Sequence, residues 1–291
     1  MTLHVLNGDA MLPRFREAGV KGEFVSWPDM MSEGPLPDAL RSEAAWRTRA
    51  AWLAPRYRFD PEAYVRDGTA RLARIAEAAR DAHDVTLWFH EELFCQANLC
   101  MLLDWLGREA PGASLHVVLE SHEPPVGGLR EMMAERSAVT PEMATLARAF
   151  WNAITSADPT GVPRLLRADL SAWPGLATGL DAHLMRFPDA EGLDGVEAEL
   201  LRLLSRGPTT FPELFLAWQE TSLGRACGFG DAQVEVALRE MGPLVAREGE
   251  RIRLGPGARP EPRERWIGGC HLARGDEWRR EGGKLVRGPP R

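Results

Sequence analysis

The fold is decided at the start of the chain, by the stretch Leu3-His4-Val5-Leu6-Asn7-Gly8-Asp9. A short apolar run ends there in a polar turn with a glycine, which is typical of a buried strand that leads into a helix. Runs of the same kind, partly β-branched or aromatic and flanked by Gly, Pro or Asp, recur at residues 23–27, 85–89 and 115–119. Together they predict four strands of a parallel sheet.

Helical patterns fill the intervals after these runs, at about residues 10–18, 38–54, 60–82 and 93–106. Three of the predicted helices open at an aspartate that can cap them, namely Asp9, Asp38 and Asp60. The fourth is expected to end at Gly107. Strands alternating with helices predict an α/β fold with right-handed crossovers, so residues 1–125 are interpreted as a Rossmann-like, mostly parallel domain with flanking helices.

The remainder of the chain changes character twice. From about residue 129 to residue 186 the sequence has no strand-like apolar runs, which predicts a helical region over residues 126–190. Three helical patterns and a hairpin around Glu248-Gly249-Glu250 follow, and this order predicts a winged-helix-like domain over residues 191–258. Residues 259–291 are a basic tail, with nine basic and five acidic residues, in which a small strand pair is expected before a frayed end.

Charge and composition exclude several classes of protein. The net charge is −7, and the third predicted helix of residues 191–258 carries three acidic residues against Arg239 alone, so nucleic acid is not the expected partner, although the basic tail favours it. No uncharged run exceeds eleven residues, where a membrane span needs roughly 20. The absence of a secretory signal and of paired cysteines predicts a cytoplasmic protein.

Polar residues follow each of the first three predicted strands, where an open parallel sheet binds its ligands. The candidate catalytic residues are Asp9, Glu33, His90 and Glu92. The candidate ligand-binding residues are Asn7, Gly8, Asp29, Gly34, Arg49 and Gln96. Arg49 lies on the apolar stripe of its helix, so its guanidinium needs a carboxylate partner, for which Asp9, Asp29, Glu33 and Glu92 are the candidates.

Plainer interpretations of these residues stay open. Asp9 could serve only as a helix cap, Arg49 could form a structural ion pair, and the corner from His90 to Glu92 could be solvated surface. Cys95 is expected to pack in an apolar helix, although a helix N-terminus could lower its pKa. No phosphate loop, nucleophile elbow or His-Glu-x-x-His zinc helix is present, so the reaction and any cofactor stay unknown.

A set of short motifs extends over nearly the whole chain. They are Leu3-His4-Val5-Leu6-Asn7-Gly8-Asp9, Trp27-Pro28-Asp29 with Glu33-Gly34-Pro35, Arg49-Ala50 with Leu53, Leu87-Trp88-Phe89 with Leu93 and Gln96, and, later, Phe187-Pro188, Gly192-Leu193, Glu197, Leu200-Leu201 and Pro243-Leu244. Their conjunction resembles the bacterial family named domain of unknown function 1835. The resemblance implies a shared edge at positions 7–9, 29, 33–35, 49, 90–92 and 96, and it implies no established reaction.

The chain departs from that family's pattern after the third predicted strand. Where the family has Glu-His-Asp-Leu, an aromatic residue and Asp-Gln, this sequence has His90-Glu91-Glu92-Leu93-Phe94-Cys95-Gln96. The histidine is displaced by one position, which turns it by about 100° on a helix or onto the other face of a strand. Either the site tolerates this change, or this chain has altered or lost the activity.

Two functions of different classes fit the sequence. The first is an enzyme or binder of a polar or phosphorylated small molecule, in which Asn7 and Gly8 donate hydrogen bonds, Arg49 clamps an anion and His90 carries a proton. The carboxylates would then be acid/base groups or ligands of a divalent metal, and residues Asp9, Glu33, Arg49 and Glu92 would surround one crevice. The alternative is a regulatory or interaction protein whose winged-helix-like domain contacts a partner protein or nucleic acid. A homodimer fits both.

Overall fold

The N-terminal part is built around a five-stranded sheet. The computed structural model describes residues 1–120, 126–256, 260, 263–273 and 278–288. The sheet strands are β1 (Thr2–Leu6), β2 (Glu23–Ser26), β3 (Asp84–His90), β4 (Leu115–Glu120) and β5 (Ser137–Ala138). Their order is β2-β1-β3-β4-β5, with the first four parallel and β5 antiparallel to β4. The four predicted strands are confirmed; β5 has only two exposed residues and gives no sequence signal.

Helices cover both faces of the sheet. They are α1 (Leu12–Glu17), α2 (Glu43–Tyr57), α3 (Pro61–Asp81), α4 (Leu93–Glu109), α5 (Leu129–Glu135), α6 (Pro141–Thr155), α7 (Gly161–Leu165) and α8 (Leu176–Met185). Alternate residues of β1 face opposite sides, so Leu6 belongs to one apolar cluster with residues of α1 and α5, whereas Val5 belongs to another that includes residues of α3 and α4. Within the described part of the chain, no helix combines the length and hydrophobicity needed to cross a bilayer.

The predicted start of α2 and the predicted end of α4 are wrong. Asp38 has a positive φ of 50°, and α2 begins only after Ser42, whose hydroxyl accepts the Ala45 N–H across 3.2 Å. Helix α4 continues through Gly107 to Glu109, because its buried apolar residues outweigh one glycine. The Asp60 cap of α3 is confirmed, since its carboxylate accepts the N–H groups of Glu62 and Ala63.

The C-terminal part holds small antiparallel sheets. Its elements are α9 (Gly195–Leu204), β6 (Thr209–Thr210), α10 (Phe211–Glu220), α11 (Ser222–Cys227), α12 (Asp231–Glu240), β7 (Val245–Glu248) and β8 (Arg251–Leu254). The predicted hairpin is confirmed as β7–β8, and β6 adds a third strand in the order β6-β8-β7.

The described residues of the predicted basic tail form two hairpins. They are β9 (Arg265–Ile267) with β10 (Cys270–Leu272), and β11 (Trp278–Glu281) with β12 (Lys284–Arg287). Ile267, Cys270 and Leu272 pack around the buried ring of Phe187, so this segment is folded onto the helical region. The frayed end expected after the strand pair includes residues 289–291, which lie outside the described residues, as do residues 259, 261–262 and 274–277 of the tail.

Candidate functional site

The strand order creates a switch point between β1 and β3. The connection from β1 runs through α1 on one face of the sheet, and the connection from β3 runs through α4 on the other. Where neighbouring strands send their connections to opposite faces, their carboxyl ends border the usual ligand crevice of an open α/β sheet. Asn7 follows β1 at this point, and His90 ends β3.

Five polar side chains gather at this switch point, and we name them the strand-edge cluster: Asn7, His90, Glu92, Cys95 and Gln96. His90 Nδ1 lies 3.8 Å from Glu92 Oε1, and Asn7 Nδ2 donates to Cys95 Sγ across 2.7 Å. Gln96 Nε2 donates to the His90 carbonyl oxygen across 2.7 Å and so holds the end of β3 in place. The structure therefore brings four of the predicted site residues together with Cys95.

The turn from β3 into α4 explains the position of Glu92. This residue is the N-cap of α4 by its backbone conformation, but its side chain makes no capping hydrogen bond. The carboxylate instead packs beside Gly228, where an added Cβ would lie 1.9 Å from Glu92 Cγ. Gly228 also has a φ of +65°, so both the backbone and the close approach require glycine there.

Burial raises the pKa of two members of the strand-edge cluster, Glu92 and Cys95. It raises the pKa of the Glu92 carboxyl, and the hydrogen bond from Cys95 and the charge of His90 oppose this rise only in part. Burial, with the neighbouring Glu92, holds the pKa of the Cys95 thiol well above its usual range. Burial therefore outweighs any lowering of the Cys95 pKa by the helix N-terminus and disfavours the thiolate in the protein alone.

Arg49 and Asp29 form a separate, buried network. Arg49 is fully buried and donates Nη2 to Asp29 Oδ1 across 2.9 Å and Nε to the Tyr64 hydroxyl across 2.7 Å. Its remaining N–H groups reach the carbonyl oxygens of residues 30, 33 and 35. All five donors are thus used within the protein, and none is left for the anion that Arg49 was expected to clamp. Of the four candidate carboxylates, Asp29 is the partner.

The same network holds the loop after β2 against α4. Asn98 donates Nδ2 to the Asp29 carbonyl oxygen across 2.7 Å and accepts from Trp27 Nε1 across 3.2 Å. Gly34 is packed closely as well, because a Cβ there would lie 2.6 Å from the Gly268 carbonyl oxygen, which also accepts the Leu36 N–H. Asp29 and Gly34 are therefore both held by contacts within the protein.

Glu33 faces a different hollow, of about 80 Å³, between α2, α12 and β9. Its carboxylate accepts from Gln233 Nε2 across 3.3 Å and lies 3.6 Å from Arg186 Nη2. Tyr57 and Glu240 line the same hollow. Glu33 was expected to share a crevice with Glu92, but the path of the loop after β2 turns its side chain toward the C-terminal part.

Asp9 lies on the other side of Gly8 from the strand-edge cluster. It is not the predicted helix cap, because the helix starts with a short 3₁₀ turn and the carboxylate instead accepts from the Ser26 hydroxyl. Asp9 borders a hollow of about 460 Å³ along β2, together with Arg71 and Arg74. Gly8 has a φ of +106° and no heavy atom within 4 Å of an added Cβ, so the backbone is open there.

The ten predicted site residues thus separate into three groups: the cluster at the β1–β3 switch point with Gly8 at its border, the buried network of Arg49 with Glu33 beyond it, and Asp9 at the β2 hollow. Sequence reasoning missed the role of Cys95, for which the available signal was its place three residues after Glu92. It also missed Arg71 and Tyr64, for which no local pattern exists. No protein-family model matches the chain, and no curated protein or solved structure matches it.

Proposed function

We propose that the chain binds a polar small molecule beside Asn7-Gly8-Asp9 and acts on it with His90 and Glu92 as the reactive groups. The observation that carries this proposal is the contact among Asn7, His90, Glu92 and Cys95 at the carboxyl ends of two adjacent strands. An imidazole 3.8 Å from a carboxylate can exchange a proton with a substrate or share a bound ion with it. The His90 side chain keeps 27% of its surface exposed, so a ligand can reach it.

The hollow along β2 supports the binding part of the proposal. Its volume of about 460 Å³ lies within the range of small-molecule sites. Apolar residues such as Leu6 and Phe24 line it together with two carboxylates, Asp9 and Asp67, and two guanidiniums, Arg71 and Arg74. Both signs of charge on an apolar wall suit a polar ligand, phosphorylated or zwitterionic, that extends over the open backbone at Gly8.

A ligand panel tests this function. Phosphorylated, carboxylated and amino-group small molecules are screened by thermal shift and ligand-observed NMR, once with a chelator and once with Zn²⁺. We expect one class to stabilise the wild type and the control Glu33→Gln, whose side chain lies in the other hollow, but neither His90→Gln nor Asp9→Asn. Binding that survives in both of these variants, or no binding in either buffer, rejects the proposal.

We also propose a Rossmann-like sheet, a winged-helix-like unit and a family for this chain. The strand order supports a doubly wound, Rossmann-like sheet, and the order α9, β6, α10 to α12, β7, β8 supports a winged-helix-like unit. Helix α12, which would be its recognition helix, contacts α2 through an ion pair of 2.8 Å between Glu240 and Arg56. We therefore assign the function to the strand edge. Membership of the domain of unknown function 1835 family rests on the motifs, which supply both Asp29 and Arg49 of the buried network.

A further inference from the structure

Three side chains of the strand-edge cluster are spaced almost as metal ligands. One ligand atom each from His90, Glu92 and Cys95 lies within 4.8 Å of the other two, and His90 Nδ1 and Glu92 Oε1 are 3.8 Å apart. Ligand atoms bound about 2.0–2.3 Å from a tetrahedral zinc ion lie roughly 3.4–3.6 Å from one another. A contraction of about 1.4 Å or less brings the three atoms to ligating distance.

The kinds of ligand select the kind of metal. Imidazole and thiolate together favour Zn²⁺ and its neighbours among the transition metals over Mg²⁺ or Ca²⁺, which prefer oxygen ligands. Charge agrees with this choice, because one thiolate and one carboxylate together neutralise a divalent ion in a site that is largely buried. His90 ends β3, Glu92 is the N-cap of α4 and Cys95 lies in its first turn, so all three residues are positioned by one short strand-to-helix connection.

Neighbouring side chains are placed to orient these ligands. Asn7 Nδ2 donates to Cys95 Sγ across 2.7 Å, and Gln96 Nε2 fixes the backbone of His90. In metal sites, hydrogen bonds of this kind orient the side chains that bind the metal. Asn7 Oδ1 and Gln96 Oε1 are buried and accept no hydrogen bond from the described residues. A metal-bound water at the Asn7 side would offer a donor of the kind that the Asn7 oxygen lacks.

We infer that His90, Glu92 and Cys95 bind a divalent transition-metal ion of the zinc class and leave one coordination position open. Binding forms a metal–sulfur bond and releases the thiol proton of Cys95 to solvent. The open position takes water or an oxygen atom of the polar ligand, which places the reaction in the metal-assisted class. The inference rests on the proposed function for its location at the ligand site, while the ligand set itself stands on geometry.

Cobalt titration of the full chain, freed of metal by a chelator, tests the inference. Co²⁺ bound to a thiolate shows a charge-transfer absorption that oxygen and nitrogen ligands do not produce. We expect one saturable site with this absorption in the wild type. Cys95→Ser should lose the absorption, and His90→Gln should bind Co²⁺ at least tenfold more weakly. The control is Cys100→Ser, which removes an equally buried cysteine of the same helix and should keep the full signal.

The outcomes separate this inference from the proposed function. A wild type without saturable Co²⁺ binding overturns the metal site, and so does an absorption that persists in Cys95→Ser or disappears in Cys100→Ser while circular dichroism shows a folded chain. If the ligand panel succeeds with chelator present and cobalt does not bind, the function survives without the metal. If cobalt binds and no ligand class does, the metal site survives and the proposed function falls.

Discussion

Arg49 donates to Asp29 across 2.9 Å while its own side chain is 0% exposed and that of Asp29 only 7%. The pair joins α2 to the loop after β2, and the hydroxyl of Tyr64 on α3 bonds to both partners. A buried charge pair of this kind is stable only when every donor and acceptor is satisfied. The network therefore fixes the loop after β2 as a rigid wall of the N-terminal part.

Removing the cation should be severely destabilising. We expect Arg49→Met to lower the free energy of unfolding by about 3–5 kcal/mol, because the Asp29 carboxylate stays buried without its partner. Urea denaturation measures the change. The matched control is Arg47→Met on the same helix, where the exposed arginine pairs with Glu43 and Glu62 and should matter little. Equal stability of the two variants would contradict the structural role of Arg49.

The two tyrosines of the chain provide a second comparison. Tyr64→Phe removes a hydroxyl that Arg49 and Asp29 both use, so we expect a loss of about 1–3 kcal/mol in unfolding free energy. The hydroxyl of Tyr57 is buried and has no hydrogen-bond partner among the described residues, so Tyr57→Phe should be neutral or slightly stabilising. Thermal and urea unfolding measure the stability of both variants. A Tyr57→Phe variant less stable than Tyr64→Phe would refute the structural role of the Tyr64 hydroxyl.

Acid should destabilise the fold through His183. Burial, with the charge of Arg186, lowers the pKa of His183 from 6.5 to about 3. The unfolded chain therefore takes up a proton below about pH 6.5 that the folded chain refuses until about pH 3, so stability falls across that window by up to ~1.4 kcal/mol per pH unit. Burial lowers the pKa of His4 as well, which adds to the same trend. Unfolding free energies of His183→Gln between pH 7.5 and 4.5 should show a shallower slope than the wild type, and an unchanged slope argues against it.

Gly228 should be required for the packing of Glu92 in the strand-edge cluster. Gly228→Ala places a methyl group against Glu92 in a backbone conformation that disfavours side chains, and we expect it to lower the unfolding free energy by about 2–4 kcal/mol. It should weaken Co²⁺ binding too. Gly107→Ala is the control, since nothing lies within 4 Å of the new methyl group and alanine should stabilise α4 by about 0.5–1 kcal/mol. Calorimetry that shows a fully stable Gly228→Ala would disprove the close contact.

The sheet could be predicted because its signals are local. The apolar runs of β1 to β4 and the cap at Asp60 depend on neighbours in sequence, and the structure has them at the predicted positions. The strand-edge cluster was also within reach, since the ends of β1 and β3 meet in any sheet of this order. The partners of Glu33 and Asp9 could not be predicted from the sequence. The path of a loop decides which of its side chains faces Arg186 or Ser26, and no periodic pattern encodes that path.

The packing of Gly34 against Gly268 has a consequence for biosynthesis. The loop after β2 leaves the ribosome early, but the backbone around Gly268 that encloses it is translated more than two hundred residues later. Until then the nascent chain can assemble its sheet while the Gly34 backbone lacks its contact with Gly268. That loop therefore cannot be fully enclosed before Gly268 has been translated.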